Sequence, residues 1–227
     1  MSKKIFTLAF VFLISVCGFS QSLQKEVQHP DIAGKLFRNA KSKNNKPVGS
    51  PYLQQAFLSA NVEDLNIKAF MRYNVFNDEF EFITPKNDTL ILDKIEDFGK
   101  INFPGLQKKY RLVVYTDNGR LTNGYLIELH SKVDYTLYKK ENIGFTEEKI
   151  AKTTLESAMP AKYTKSVDTY FLKAASGNTT EFPTGKKALI KMFPDKKQAI
   201  ETYLKTNKIN FDNESDLIKI VDFLAAP

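Results

Sequence analysis

Two hydrophobic periodicities divide this chain. Between residues 49 and 183, apolar positions come in short runs with period-two character, separated by turn residues, which is the signature of strands. Strands are predicted at 66–74, 76–83, 88–93, 100–103, 110–116, 120–130, 133–140 and 167–174. The clearest pair joins YRLVVYT (110–116) to RLTNGYLIELH (120–130) through Asp117-Asn118-Gly119. Both central residues of a type I′ turn need positive φ, and Asn-Gly tolerates it best. Asn123-Gly124 reads as a candidate bulge in the second strand. Within 76–83, Phe76, Phe80 and Phe82 share one face and Glu79 and Glu81 the other, a half-buried antiparallel strand with one wet side. The stretch 146–159 is ambiguous, because its helix-forming residues are interrupted by Thr153-Thr154 and stopped by Pro160.

From residue 184 the period becomes helical. Thr184 is a candidate cap for a helix that Pro194 ends, and Asp195 for a second with Ala199, Ile200, Tyr203 and Leu204 on one side. Asp212 would cap a third, with Leu217, Ile220, Val221 and Leu224 on one stripe. Short helices cannot bury such stripes alone, so they must pack on the sheet. The expected fold is α+β: an antiparallel β-rich meander or partly closed sheet over 49–183, carrying a C-terminal helical hairpin or three short helices over 184–227. Residues 21–48 are polar; Val27, Leu36 and Phe37 offer at most one short helix, and KSKNNKP (41–47) reads as a flexible linker.

The first twenty residues follow neither pattern. Lys3 and Lys4 precede an uncharged, largely apolar run from Ile5 to Val16, and Gly18-Phe19-Ser20 places small residues before Gln21. This is the layout of a signal peptide, too short to span a bilayer, and it predicts a periplasmic or secreted protein. Cys17, at the end of the apolar run, is the alternative processing point as a lipid-modified residue, but the β-branched Val16 before it is a poor context. Cleavage after Ser20 removes the only cysteine, and with it any disulfide, thiolate metal site or cysteine nucleophile. The formal charge of +7 falls to about +5 with the two leader lysines. The remaining lysines alternate with Asp and Glu, as on an ordinary solvated face, and no nucleic-acid partner is expected.

Three segments carry a resemblance: GSPYL (49–53), RYNVFNDEFEF (72–82) and the lysine-rich tail KALIKMFPDKKQAIETYLKTNKINFDNESDLIKIVDFL (187–224). In this order they resemble an uncharacterised group of secreted and envelope proteins of Bacteroidetes. The resemblance implies a cell-envelope or secreted setting in a Gram-negative bacterium; it transfers no activity and no catalytic residue. It also makes one modification reachable: Asp88-Thr89-Leu90 fits the Asp-Ser/Thr-apolar pattern of periplasmic O-glycosylation in that group, with Thr89 as acceptor beside the turn-forming Pro85-Lys86-Asn87.

Candidate chemistry is sparse. His29 lies in the polar N-terminal zone, and His130 ends a strand on the face of Leu126 and Glu128, with no orienting carboxylate at local spacing. No nucleophile elbow, phosphate loop or calcium loop is present, and no cofactor or metal is expected. The best acidic group is Asp78, Glu79 and Glu81. Glu79 and Glu81 would project from one strand face about 7 Å apart, between the two carboxyl spacings of glycosidases. The structural reading pairs them instead, as a wet face, with lysines of a neighbouring strand. Arg72 and Tyr73 are placed to pair with Asp78 across the tight connection, as a fold-defining contact. Two functions follow. One is a non-catalytic exported protein that binds an envelope protein, a glycan or a lipid headgroup. The other is an exported hydrolase using the acidic strand.

Overall fold

The computed structural model describes residues 37–39, 47–149 and 157–226. The leader expected over 1–20, most of the segment expected to be flexible over 21–48, and residues 150–156 of the ambiguous stretch lie outside the described residues. The fold is α+β. Among the described residues the strands are β1 (Phe37–Asn39), β2 (Leu58–Val62), β3 (Ile67–Asn74), β4 (Glu79–Ile83), β5 (Thr89–Leu92), β6 (Lys100–Phe103), β7 (Lys108–Asp117), β8 (Arg120–Lys132), β9 (Tyr135–Thr146), β10 (Lys162–Lys173) and β11 (Thr179–Glu181). The helices are α1 (Lys186–Met192), α2 (Lys197–Thr206) and α3 (Glu214–Leu224).

One sheet runs β1-β5-β4-β3-β2-β6-β7-β11-β10-β9-β8, and the further pairing of β7 with β8 closes β7 to β11 into a five-stranded ring. Its strand pairs are antiparallel except β11 with β7, which meet in parallel at Thr180 and Thr116. Tyr115, Leu126, Tyr138 and Phe171, one from each long strand of the ring, cluster together. Their neighbours Leu137 and Leu172 point the opposite way, toward the helices, as strand alternation requires.

Two covers share that opposite face. At one end the arm β2 to β6 folds over β7, β8 and β9, burying Met71, Phe80, Ile101, Tyr110, Tyr125 and Ile127 in an aromatic core. At the other, α1 to α3 bury Leu189, Ile200, Leu217, Ile220, Val221 and Leu224 against Leu137, Leu172 and Phe182. The stripe expected for the third helix meets the sheet; of the one expected for the second, Ile200 is buried in the same cluster, Tyr203 stacks on Phe223 of α3 and Ala199 is exposed.

Several local expectations change. The hairpin turn is Asn118-Gly119, both at positive φ, between Asp117 and Arg120. Pairing of β7 with β8 runs without a break through Asn123-Gly124, so no bulge lies there. The irregularity in β8 falls between Glu128 and His130. The strand expected from 76 starts at Glu79, because Asn74 to Asp78 form a turn, with Asp78 at φ 54° and Asn74 Oδ1 accepting from the Asn77 N–H. Phe76 is thereby taken off the face of Phe80 and Phe82 and meets Phe145 at a tilt and Tyr163 edge-on. Strands β2 and β11 were not expected, and Phe37–Asn39 pair with β5 where at most a short helix was expected. Thr184, Asp195 and Asp212 do not cap: the caps are Gly185, Lys196 and Asn213, and only Asn213 uses its side chain, accepting from the Asp216 N–H.

Candidate functional site

The acidic strand is where the sequence placed its chemistry, and the fold separates its members. Arg72 and Glu81 sit opposite each other in β3 and β4. Arg72 Nε and Nη2 both donate to Glu81 Oε2, at 2.8 and 2.7 Å. Oε1 accepts from Tyr52 Oη at 2.7 Å and from Asn74 Nδ2 at 3.3 Å. The guanidinium lies between the rings of Tyr52 and Phe57, with Cζ 4.1 and 4.4 Å from their centroids, and its Nη1 donates to the Gln55 carbonyl. Cation–π contact and charge-assisted hydrogen bonds thus use the faces and the edge of one arginine together.

Glu81 is 4 % exposed, so the wet face expected for it is covered. The cover is the strap 49–57, which leads into β2 at Leu58. Pro51 supplies its carbonyl to the N–H groups of Val75 and Phe76, and Tyr52 closes onto Glu81. Burial, reinforced by the Glu81 carboxylate, pushes the Tyr52 hydroxyl far above its ordinary pKa, so it stays a donor.

Asp78 forms a second knot. Its Oδ1 accepts from Tyr73 Oη at 2.6 Å and from the Tyr125 N–H at 3.0 Å, and Oδ2 takes Lys94 Nζ at 2.5 Å. Tyr73 Oη also lies 3.5 Å from the Tyr125 carbonyl. The β3–β4 turn therefore meets the backbone of β8 at Tyr125 much as a neighbouring strand would. Gly124 makes the approach possible, because a Cβ there would collide with the Asp78 carboxylate and the Tyr115 hydroxyl. Burial first, and then the Asp78 charge, hold the Tyr73 hydroxyl well above its ordinary pKa. Of the pairings expected for Asp78, Tyr73 is found; Arg72 goes to Glu81 instead, since the two are cross-strand partners and Asp78 is in the turn. Glu79 sits opposite Asn74, partly exposed.

Between the strap and the arm lies a cleft lined by Leu53, Met71, Tyr73, Phe103, Tyr110 and Glu141, among others. It has room for about 20 Å³, a single water molecule; pockets for small ligands run from about 300 Å³ upward. Its polar wall is Lys108 Nζ on Glu141 Oε1 at 2.6 Å, with Tyr110 Oη a distant 3.5 Å from Oε2.

The remaining candidates are scattered. The irregularity at Glu128 flips His130 away from the face of Leu126 and Glu128 and toward α3, where Nε2 meets Asp222 Oδ1 at 3.0 Å. Lys132 reaches the same oxygen at 3.0 Å, and the hydrogen bonds from Lys132 and then His130 hold Asp222 below the usual carboxylate range. The carboxylate that sequence spacing failed to supply for His130 thus comes from ninety-two residues away. Thr89 opens β5 opposite Ile83 and is partly exposed, beside the exposed Asp88. Among the described residues no group of three or more His, Cys, Asp or Glu is placed to hold a metal, and no helix is long and apolar enough to cross a membrane.

Tyr52, Asn74, Lys94 and Gly124 were missed as partners of the acidic residues. A signal existed for the first two, since GSPYL and RYN are the segments that carried the family resemblance, and they meet at Glu81. Lys94 and Gly124 had none. Comparisons with protein-family models, with curated proteins and with solved structures returned no match.

Proposed function

We propose that this chain is an exported, non-catalytic envelope or secreted protein that acts as a binding or interaction module, its partner being an envelope protein, a glycan or a lipid headgroup. The observation that supports this reading is the state of the acidic strand. Glu81 spends both oxygens on Arg72, Tyr52 and Asn74, and Asp78 spends both on Tyr73, Tyr125 and Lys94. A general acid or nucleophile needs a free oxygen facing a substrate, and the adjoining cleft admits about one water. The same residues tie the strap and the β3–β4 turn to the body, which is what a fold-defining contact does.

Export rests on the leader-like residues 1–20, with cleavage before Gln21 and lipidation of Cys17 the disfavoured route. The Bacteroidetes setting rests on the three quoted segments, and O-glycosylation of Thr89 rests on that setting. The test has two arms. Tagged protein recovered from its native envelope should begin at Gln21, carry no diacylglyceryl group, and co-purify stoichiometrically with one partner or glycan. The purified chain should leave glycoside, ester and peptidoglycan substrates intact. Turnover that disappears in Glu79→Gln or Glu81→Gln, with the fold preserved by circular dichroism, would replace this reading with the hydrolase.

A further inference from the structure

Lys94 and Asp78 form an ion pair whose surroundings differ from those of two other lysine–carboxylate pairs among the described residues, Lys108–Glu141 and Lys140–Asp117. Both oxygens of Asp78 are engaged, and differently. Oδ1 takes two converging donors, Tyr73 Oη and the Tyr125 N–H, while Oδ2 faces Lys94 Nζ at 2.5 Å. In Lys108–Glu141 the second oxygen has only the 3.5 Å contact with Tyr110. In Lys140–Asp117 it takes one neighbouring amide, Asn118 Nδ2. The Asp78 backbone is held in the left-handed region at φ 54°, and Gly124 offers no Cβ to keep its carboxylate at a distance. Around it stand Tyr73, Tyr115, Phe80 and Tyr125, all at or below 9 % exposure, while Lys94 and Asp78 themselves keep 27 and 21 % of their side-chain surface in water.

We propose that this pair condenses to an amide, giving an intramolecular Lys94–Asp78 cross-link. Within the ion pair, Nζ passes one proton to Oδ2 and its freed lone pair attacks Cγ. The negative charge that develops on Oδ1 is met by the Tyr73 hydroxyl and the Tyr125 N–H, two donors already in place. Nζ then gives a second proton to Oδ2, the Cγ–Oδ2 bond breaks, and water leaves through the open side of the site. One N–H remains on the new amide, the ammonium and carboxylate charges cancel, and no other reactant is consumed. The fold has already met the entropy cost of bringing the two groups together, and the proton transfer within the pair makes the nitrogen nucleophilic and the carboxyl electrophilic. Tyr73 is a positioning and charge-stabilising residue in this step. The bond would tie the β3–β4 turn, wedged on β8, to the segment following β5, in a chain that lacks any cysteine after Cys17.

The experiment is peptide mass spectrometry on the purified full-length mature protein after denaturation and trypsin digestion. The expected result is a branched peptide joining the segments of Asp78 and Lys94, about 18 Da lighter than the sum of its parts, with no cleavage after Lys94. Whole-protein mass is only a supporting readout, because cyclisation of an N-terminal Gln21 removes a similar mass, about 17 Da. Lys94→Arg keeps the charge beside Asp78 but cannot form the same amide; it should restore linear peptides and lower the melting temperature. Tyr73→Phe should leave a mixture in which the linked fraction grows slowly with time. Linear peptides with cleavage after Lys94 in the wild-type protein would overturn the proposal, and so would a loss of water at Asp78 that persists in Lys94→Arg.

Discussion

At one end of the β7–β9 face the cover is an arm of strands whose aromatic core is edged by ionised groups: Glu81 with Arg72, Asp78 with Lys94, Glu141 with Lys108. At the other end the helical cover meets the sheet through Leu137 and Leu172 against Leu217, Ile220, Val221 and Leu224 of α3, and the polar pairs sit at the rim, as His130 and Lys132 do on Asp222. The two covers bury similar faces with different chemistry. Apolar contact is non-directional, so the helices need only the right stripe and volume. The arm must hold a strap without regular structure and a turn set against the edge of β8, and those need directional bonds. The difference predicts that the arm fails when a single polar partner is removed, whereas the helical end loses stability in proportion to the volume removed.

The largest effect should come from Glu81→Ala, which leaves Arg72 sandwiched between Tyr52 and Phe57 without its carboxylate. Removing one partner of a largely buried pair costs about 3–5 kcal/mol, and the urea midpoint should fall accordingly. If the loss is below that of a surface pair, the hub is not what holds the strap. Leu217→Ala, at the centre of the helical cover, should cost about 2–5 kcal/mol. Its amide-exchange losses should centre on α1 to α3 and leave the arm protected; equal loss in both regions would mean that the two covers unfold as one.

Gly124→Ala should cost about 1–3 kcal/mol by forcing the Asp78 carboxylate off the backbone of β8, with the Tyr73 and Tyr125 ring signals moving most. An unchanged spectrum would show that the turn is not seated there. Smaller still is the rim pair. Asp222 has a depressed pKa, so its contribution is present above the unfolded carboxylate pKa of about 3.8 and is lost as pH falls through the lower folded value. Exposure limits it to below about 0.5 kcal/mol, and Asp222→Asn should flatten only the acid limb of a stability–pH curve. The last prediction changes sign. Val133, a β-branched residue held at φ 51° in the β8–β9 turn, should gain about 1 kcal/mol on replacement by Gly or Asn. No gain would mean that the turn relaxes at no cost.

Local rules read much of this fold. The Asn118-Gly119 hairpin, the strand at 100–103, the opposite faces of Phe80 and Glu81, and the change of period near 184 all depend on residues within a few positions of one another. Boundaries moved where the deciding contact was distant. Pro51 draws Val75 and Phe76 out of the strand pattern, and the short strand β11 exists because β10 and β7 flank it. The candidate site was half legible for the same reason: residue types and faces around Glu81 were apparent, its partners were not.

What the sequence by itself determined is therefore periodicity and parity: an α+β chain, a meander of strands, apolar stripes on the last two helices, and two glutamates on one side of β4. These follow from backbone geometry and from which side chains avoid water. The tertiary structure alone decided which faces are wet. Parity placed Glu81 opposite the phenylalanines, but only the strap bearing Tyr52 made that side an interior. Alternation put His130 with Leu126, but one irregular residue in β8 turned it to Asp222. Gly124 read as part of a candidate bulge, and its use proved to be room for a carboxylate from forty-six residues earlier. Covering a face, meeting an ion and leaving space are contacts between segments far apart in the chain, and their energies exist only once the segments are in place.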